Sequence, residues 1–181
     1  PAARRITELV AANAGQRVIV FDPNVRLSLI EDLPNYRLRI NRWLNYTNLL
    51  KLSDEDVEAL LPGVSHTQAA ETWLQAGPSA VVITCGAHGA TLFRQGHAPI
   101  PVQPPKIKMV DTIGAGDTFT AGLSVALLQQ GVTNSAELNQ LSDPAWLEVL
   151  QFAAIAAARN CTREGANPPS LDEVKAALSD G

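Results

Sequence analysis

The chain has 181 residues, enough for one well-buried core, and a single domain is expected over residues 1–181. Its 46 % hydrophobic content and formal net charge of −4 argue against a nucleic-acid or anionic-membrane partner. Any phosphate would have to be held by local geometry rather than by bulk charge.

The opening "PAARRITELV" has no initiator Met and is already helical in pattern, with Ile6, Leu9 and Val10 on one face. The chain therefore reads as the later part of a longer protein, entered partway through a helix that ends near Gly15. A short apolar strand is expected over Val18–Phe21, a helix around Tyr36–Tyr46 and a second strand near Leu49–Leu52. "SDEDVEALL" starts a helix with Ser53 as N-cap and acids in its first turn, where the helix dipole favours them. A further helix over Thr67–Ala76 leads into "AVVITC", a third buried strand. "ATLFR" and "APIPV" flank Gly96 as a hairpin at the sheet edge.

The last third reads as helical. Phe119, Gly122, Leu123, Ala126 and Leu127 share one helix face. Another helix is expected to open on Asp143 as N-cap with Pro144 at its first position. Its body, "WLEVLQFAAIAAA", is apolar nearly all round and so deeply packed. "SLDEVKAAL" is a terminal amphipathic helix. Strand–helix alternation of this kind predicts an α/β fold with a mostly parallel sheet covered on both faces. Ligands of such folds sit beyond the carboxyl ends of the strands, here the turns "FDPNVR" and "TCGAHG".

The two cysteines, Cys85 and Cys161, form neither a CxxC pair nor a metal-ligand spacing, and read as packing residues in a reducing compartment. No apolar run reaches the roughly 20 residues of a membrane span, so the expectation is cytoplasmic. His66, His88 and His97 are expected on surface loops, and no G-x-S-x-G or H-E-x-x-H appears.

The densest chemistry lies in "DTIGAGDTFTAGL", Asp111–Leu123. Gly114, Ala115 and Gly116 let a ligand approach the backbone at a helix start, where open N–H groups and the dipole favour an anion. Asp117 follows in the first turn, placed to take a proton from an attacking hydroxyl while the N–H groups hold phosphoryl oxygens. The plain alternative is a glycine turn with an acidic first turn, which is simply a good helix start. "GAGD" lacks the G-K-[ST] of a P-loop.

The full string resembles the second signature of the PfkB/ribokinase family of sugar and nucleoside kinases, D-T-x-G-A-G-D-x-F-x-A-G, at every specified position. The resemblance implies a ribokinase-like fold, with Asp117 as catalytic base and Gly114, Ala115 and Gly116 as the anion hole. It places Asp111 and Thr112 near the nucleotide and a monovalent-cation site. "VVITCGAHGATLF" looks like the family's ATP-contacting strand–turn–strand, carried by Thr84, Gly86 and Gly89; alone it is a plain glycine hairpin. "FDPNVRLSL" is similar to the D-x-N-x-R segment of the fructokinase-like branch, with Asp22, Asn24 and Arg26 facing phosphates or sugar. "KLSDED" departs from the family's N-x-x-E: Ser53 and Asp56 stand in those places, and a Ser53–Asp56 capping arrangement explains them nearly as well. Lys51 reaches phosphate in one reading and is a solvated surface lysine in the other. "NCTREGANPPS" looks like the loop over adenine and cation, with Asn160 beside the nucleotide. Carbonyls around Ile113, Arg163 and Gly165, with Asp111, would hold the cation.

The implied activity is ATP-dependent phosphorylation of a sugar hydroxyl, with fructose the first candidate and 2-keto-3-deoxygluconate close behind; a nucleoside is a weaker third. Magnesium would bridge the ATP phosphates and potassium would sit nearby. Family members are longer at the N-terminus, where the first strands, the lid and most sugar contacts lie. The intact protein is a candidate homodimer through that lid. A reading of another class is a non-catalytic nucleotide-binding fragment.

Overall fold

Successive side chains of a strand point to opposite faces of its sheet, and a strand apolar throughout must be covered on both. The computed structural model, which describes residues 2–179, has strands β1 (Val20–Phe21), β2 (Leu49–Ser53), β3 (Ala80–Thr84), β4 (Ala90–Arg94) and β5 (Ile100–Val102), with β2 and β3 buried over their first four residues. They form one sheet in the order β1-β2-β3-β4-β5. The first three are parallel, with Leu49 opposite Ala80 and Ser53 opposite Thr84, and β4 and β5 add antiparallel. Ala80 and Val82 enter one core, Val81 and Ile83 the other.

Helices α2 (Leu33–Leu44), α3 (Asp54–Leu60) and α4 (His66–Gln75) cover the second face, burying Leu44, Val57 and Trp73 against Leu50, Leu52 and Phe93. Across the sheet, α5 (Ala115–Gln129) and α7 (Asp143–Asn160) pack Phe119, Leu123, Trp146 and Leu150 on Leu49, Val82 and Leu92. The two helices touch where Gly122 leaves no room for a side chain: a Cβ there would lie 2.8 Å from the Cα of Ala153. The alanine run of α7 is thus a close-packing surface for α5. The remaining helices are α1 (Ala2–Asn13), α6 (Ser135–Asn139) and α8 (Leu171–Ser179).

The α/β architecture agrees with the sequence expectation, and four details differ. The first strand is only Val20–Phe21: the Val18 N–H bonds to the 133 carbonyl and the Ile19 N–H to the Asn48 side chain, while the Ile19 carbonyl accepts from the Asn48 and Leu49 N–H groups. The helix expected at Tyr36–Tyr46 begins three residues earlier, where Asp32 caps it by accepting from the Asn35 N–H. Asp143 is not the N-cap of α7: Ser142 is, its hydroxyl accepting from the Ala145 N–H, and Asp143 and Pro144 occupy the first two helical positions. Short α6 was not anticipated, although Asn134 and Glu137 form a capping box around it.

Ile6 and Leu9 of α1 are exposed, and α1 meets the body where the Trp43 indole donates to Thr7. One surface expectation also changes. His66 opens α4 instead of lying on a loop, its Nδ1 3.8 Å from Cys85 Sγ. Both cysteines are free, and burial pushes each thiol above its usual range, so neither is activated. Among the described residues no helix is long and apolar enough to cross a membrane.

Candidate functional site

The carboxyl ends of β1, β2 and β3 and the N-terminus of α5 converge on one end of the molecule. Gly114 caps α5 in the left-handed region, φ 76°, which suits a residue without a Cβ. A Cβ there would also stand 2.9 Å from that of Ala166, so the 160–167 loop is closed down on the turn.

The first backbone N–H groups of a helix lack intrahelical acceptors. Here Ala115 N–H is taken up by the Thr112 carbonyl at 3.1 Å and Thr118 N–H by the Gly114 carbonyl at 2.8 Å. Among the described residues, Gly114, Gly116 and Asp117 N–H groups have no acceptor. The open donors therefore differ from the expected Gly114–Ala115–Gly116 set in one member, Asp117 N–H standing in place of Ala115 N–H. The Asp117 carboxylate is exposed and accepts no hydrogen bond from the described residues.

Beneath this turn lies Lys51, for which the sequence leaves two readings open, a phosphate contact and a solvated surface lysine, and the structure buries it. Lys51 is 4 % exposed. Leu49 of the same strand enters the α5-side core, so Lys51, two residues on, faces the same way. Its Nζ is 3.2 Å from where a Cβ of Gly116 would be, so glycine at this position admits the ammonium against the helix start. Its partner is Asp22 Oδ2 at 3.0 Å. The Thr120 hydroxyl stands 2.9 Å from the same carboxylate oxygen and 3.1 Å from the Gly116 carbonyl. A buried charge needs such partners.

The other expected residues sort by what their polar atoms do. Asn24 lies beyond β1 at φ 44°, the left-handed region that asparagine tolerates, with its N–H on Asp22 Oδ1 at 3.2 Å. Arg26 is exposed, bonded only to the Val25 carbonyl, and no carboxylate pairs with it among the described residues. Asp56 is buried: Oδ1 accepts from Val25 N–H at 2.7 Å, and Oδ2 from the Ser53 N–H and hydroxyl at 2.8 and 2.7 Å. The capping arrangement is present, and Asp56 has little capacity left for a ligand. Thr84 donates to the Leu52 carbonyl. Gly89 is structural, since a Cβ would fall 2.1 Å from the Val102 carbonyl, whereas Gly86 borders open space.

Asn160 differs from its expected place beside the nucleotide. It is fully buried, its amide donating to the Ile113 carbonyl at 2.8 Å and its carbonyl accepting from Asn167 N–H at 3.1 Å. It braces the 111–114 and 165–167 segments against the end of α7. Asp111 does similar work at the surface, Oδ1 on Ile113 N–H at 3.0 Å and Oδ2 on Gly165 N–H at 2.9 Å. Asp111, Ile113 and Gly165 are thus brought together, and the exposed Thr112 lies between the first two. The Arg163 guanidinium turns away to Glu173 and the Pro168 carbonyl, so only its backbone could join them.

The Ile113 and Gly165 N–H groups hold the Asp111 carboxyl below its usual range. Because the folded value is depressed, the loop clasp is complete above the unfolded value of about 3.9 and fades as pH falls through the lower folded one. An amide NMR titration of Gly165 is expected to give a midpoint below about 3.9. Asp111→Asn should abolish that titration.

Residues 3–173 match the model of the pfkB family carbohydrate kinases. In fold the chain is a ribokinase-like α/β protein: it superposes on the ATP-bound fructokinase of Xylella fastidiosa with a TM-score of 0.88, at 23 % identity, covering 98 % of this chain and 57 % of that one. It belongs to the pfkB family of carbohydrate kinases. A fructokinase of Rhizobium leguminosarum bv. trifolii is 34 % identical over 145 residues, 80 % of this chain and 44 % of that protein. The 2-dehydro-3-deoxygluconokinase of Dickeya dadantii is 32 % identical over 144 residues, 77 % and 46 % respectively. The chain spans about half the length of these relatives.

Proposed function

We propose that this chain forms the nucleotide-binding and phosphoryl-transfer half of an ATP-dependent sugar kinase, with fructose as acceptor. The observation that carries the reading is the start of α5, where open N–H groups and the free Asp117 carboxylate stand over the buried Lys51 ammonium. The fructokinase relative and the D-x-N-x-R pattern of Asp22, Asn24 and Arg26 favour fructose. The gluconate-derived acceptor remains the second reading, supported by the Dickeya relative.

Asp117 accepts the proton of the sugar hydroxyl, raising the nucleophilicity of its oxygen. ATP supplies the phosphoryl group: the hydroxyl oxygen bonds to the terminal phosphorus, the bridging P–O bond breaks and ADP leaves. Gly114, Gly116 and Asp117 N–H groups donate to the oxygens on which charge accumulates, and the helix dipole adds to their effect. Lys51 places a fixed positive charge behind them, held in position by Asp22 and Thr120. Arg26 and Asn24, both exposed in the segment after β1, are assigned to phosphate and hydroxyl groups respectively. Gly86 opens the β3 turn to the nucleotide, whereas Thr84 and Gly89 shape that turn. Asn160 acts as a brace of the cation and nucleotide loop rather than as a contact.

Asp111 and the Ile113, Arg163 and Gly165 carbonyls are oxygen donors of the kind a potassium ion takes; Asp111 and Ile113 oxygens each retain lone pairs beyond the bonds they accept. Such an ion would supply positive charge beside the anion-holding turn. Among the described residues no three His, Cys, Asp or Glu side chains could jointly hold a metal. Magnesium would accordingly arrive on the ATP phosphates with its waters, a mode usual for that ion. Two unpaired thiols suit a reducing, cytoplasmic setting.

The test is ATP consumption by the full-length protein over fructose, 2-keto-3-deoxygluconate, ribose and adenosine. Turnover on fructose above the others is expected. Turnover on 2-keto-3-deoxygluconate alone would favour the second reading, and ATP binding with no transfer to any acceptor would favour a nucleotide-binding module.

A further inference from the structure

Two sides of the proposed site meet on one carboxylate. Asp22 Oδ1 accepts from the Asn24 N–H at 3.2 Å, and Oδ2 accepts from Lys51 Nζ at 3.0 Å. Thr120 Oγ1, on α5, stands 2.9 Å from the same Oδ2. Asp22 therefore joins the segment that carries Asn24 and Arg26 to the helix whose start holds the open N–H groups.

A threonine hydroxyl has one proton to give. Thr120 Oγ1 also lies 3.1 Å from the Gly116 carbonyl, one helical turn back. That carbonyl is already the acceptor of the residue 120 N–H in the helix ladder. Oδ2 is the nearer acceptor and belongs to a carboxylate, and a charge-assisted hydrogen bond is the stronger of the two. The proton goes to Asp22.

The three donors differ in how firmly they hold Asp22. Lys51 reaches it through a long flexible stem, so its ammonium can follow if the carboxylate turns. Asn24 is exposed, and its own backbone, at φ 44°, depends on the bond. Thr120 is β-branched, with a stiff first torsion, on a helix anchored in the core by Phe119 and Leu123. Beyond Asn24, the Val25 N–H is fixed at 2.7 Å by the buried Asp56 of α3. Asn24 thus spans two anchors, Val25 on the α3 side and Asp22 on the α5 side. A left-handed backbone is costly for a residue other than glycine, and persists where its surroundings impose it.

We propose that Thr120 is a positioning residue for the acceptor: through Asp22 it holds Asn24 in the conformation that meets the sugar hydroxyl. The acceptor's identity rests on the kinase reading, whereas the link from Thr120 through Asp22 to Asn24 belongs to the resting protein and is tested without turnover.

The test compares Thr120→Val, which keeps the branched shape but loses the hydroxyl, with Thr120→Ser, which keeps the hydroxyl, in the full-length protein. In Thr120→Val the KM for the sugar turned over, fructose or 2-keto-3-deoxygluconate, is expected to rise about three- to tenfold, the worth of one hydrogen bond. The KM for ATP should stay within about twofold, and Thr120→Ser should return the sugar KM to near the wild-type value. In the ligand-free protein, the Asn24 amide resonance should move in Thr120→Val and hold its place in Thr120→Ser. Should Thr120→Val fail to fold, Thr120→Ala removes the same hydroxyl at this half-buried position. A lowered Tm with both KM values unchanged would make Thr120 a packing residue and overturn the proposal. So would an Asn24 amide that stays in place in a folded variant without the hydroxyl, or a serine variant that behaves like valine. Absence of turnover in the wild-type protein would count against the kinase reading, and the Asn24 amide then decides the link by itself.

Discussion

If the proposed kinase reading holds, Asp117→Asn is expected to lower turnover by about 10²–10⁴-fold while leaving ATP affinity within severalfold of wild type. Asparagine has nearly the same shape and leaves the backbone N–H groups of the turn in place, but its amide cannot accept the hydroxyl proton. The Asp117 side chain accepts no hydrogen bond from the described residues and is exposed, so the substitution breaks no network among them. Steady-state kinetics beside an ATP-binding isotherm separate the two effects. Loss of ATP binding in parallel with turnover would make Asp117 a nucleotide-holding group. Unchanged turnover would remove it from the chemistry.

The second large effect concerns Lys51. Its side chain is 5 % exposed and that of its partner Asp22 14 %, so removing either charge leaves the other buried and uncompensated. Lys51→Met is expected to destabilise the fold by about 3–5 kcal/mol, a fall in Tm on the order of 10 °C for a chain of this size. Asp22→Asn acts in the same direction. The double variant should recover part of the stability, because replacing both members of a buried pair is far less harmful than breaking it. It should not recover activity, since the positive charge behind the α5 turn is gone. Stability and turnover thus part company in the double variant, and a double variant as active as wild type would confine Lys51 to a structural role.

These two residues show what local pattern can and cannot disclose. Asp117 is legible because its whole setting is contiguous: glycine turn, acid and apolar helix face all lie within Asp111–Leu123. The third strand and the hairpin were legible for the same reason, as unbroken apolar runs bounded by turn residues. Lys51 was legible only as two open readings, phosphate contact or solvated lysine, because a lysine inside a strand gives no sign of burial until its neutralising partner is known. That partner stands 29 residues away, just beyond β1, and the hydroxyl sharing it belongs to a helix 98 residues from Asp22. A hint was present: in "LLKLS" every neighbour of the lysine within the strand's interior is leucine, which is unusual company for a surface charge.

Asn160 illustrates the converse. Its position in a ligand-facing loop suggested a contact, yet the bonds that consume its side chain reach 47 and 7 residues along the chain and place it wholly inside. Cap assignment failed by one residue at Ser142–Asp143 because both residue types cap helices well and only the backbone shows which one is extended. The stacking of Arg94 on Trp146 had no signature at all, since the two come from a strand end and a helix 52 positions on, joined only by folding.

The most direct test of the account is to locate the terminal phosphate on the chain itself. Amide chemical shifts of the full-length protein would be recorded with saturating ATP and with saturating ADP, magnesium present in both, and without sugar. The account predicts that the ATP–ADP differences concentrate at Gly114, Gly116 and Asp117, the start of α5. Differences lying elsewhere, with that turn indifferent to the terminal phosphate, would contradict it.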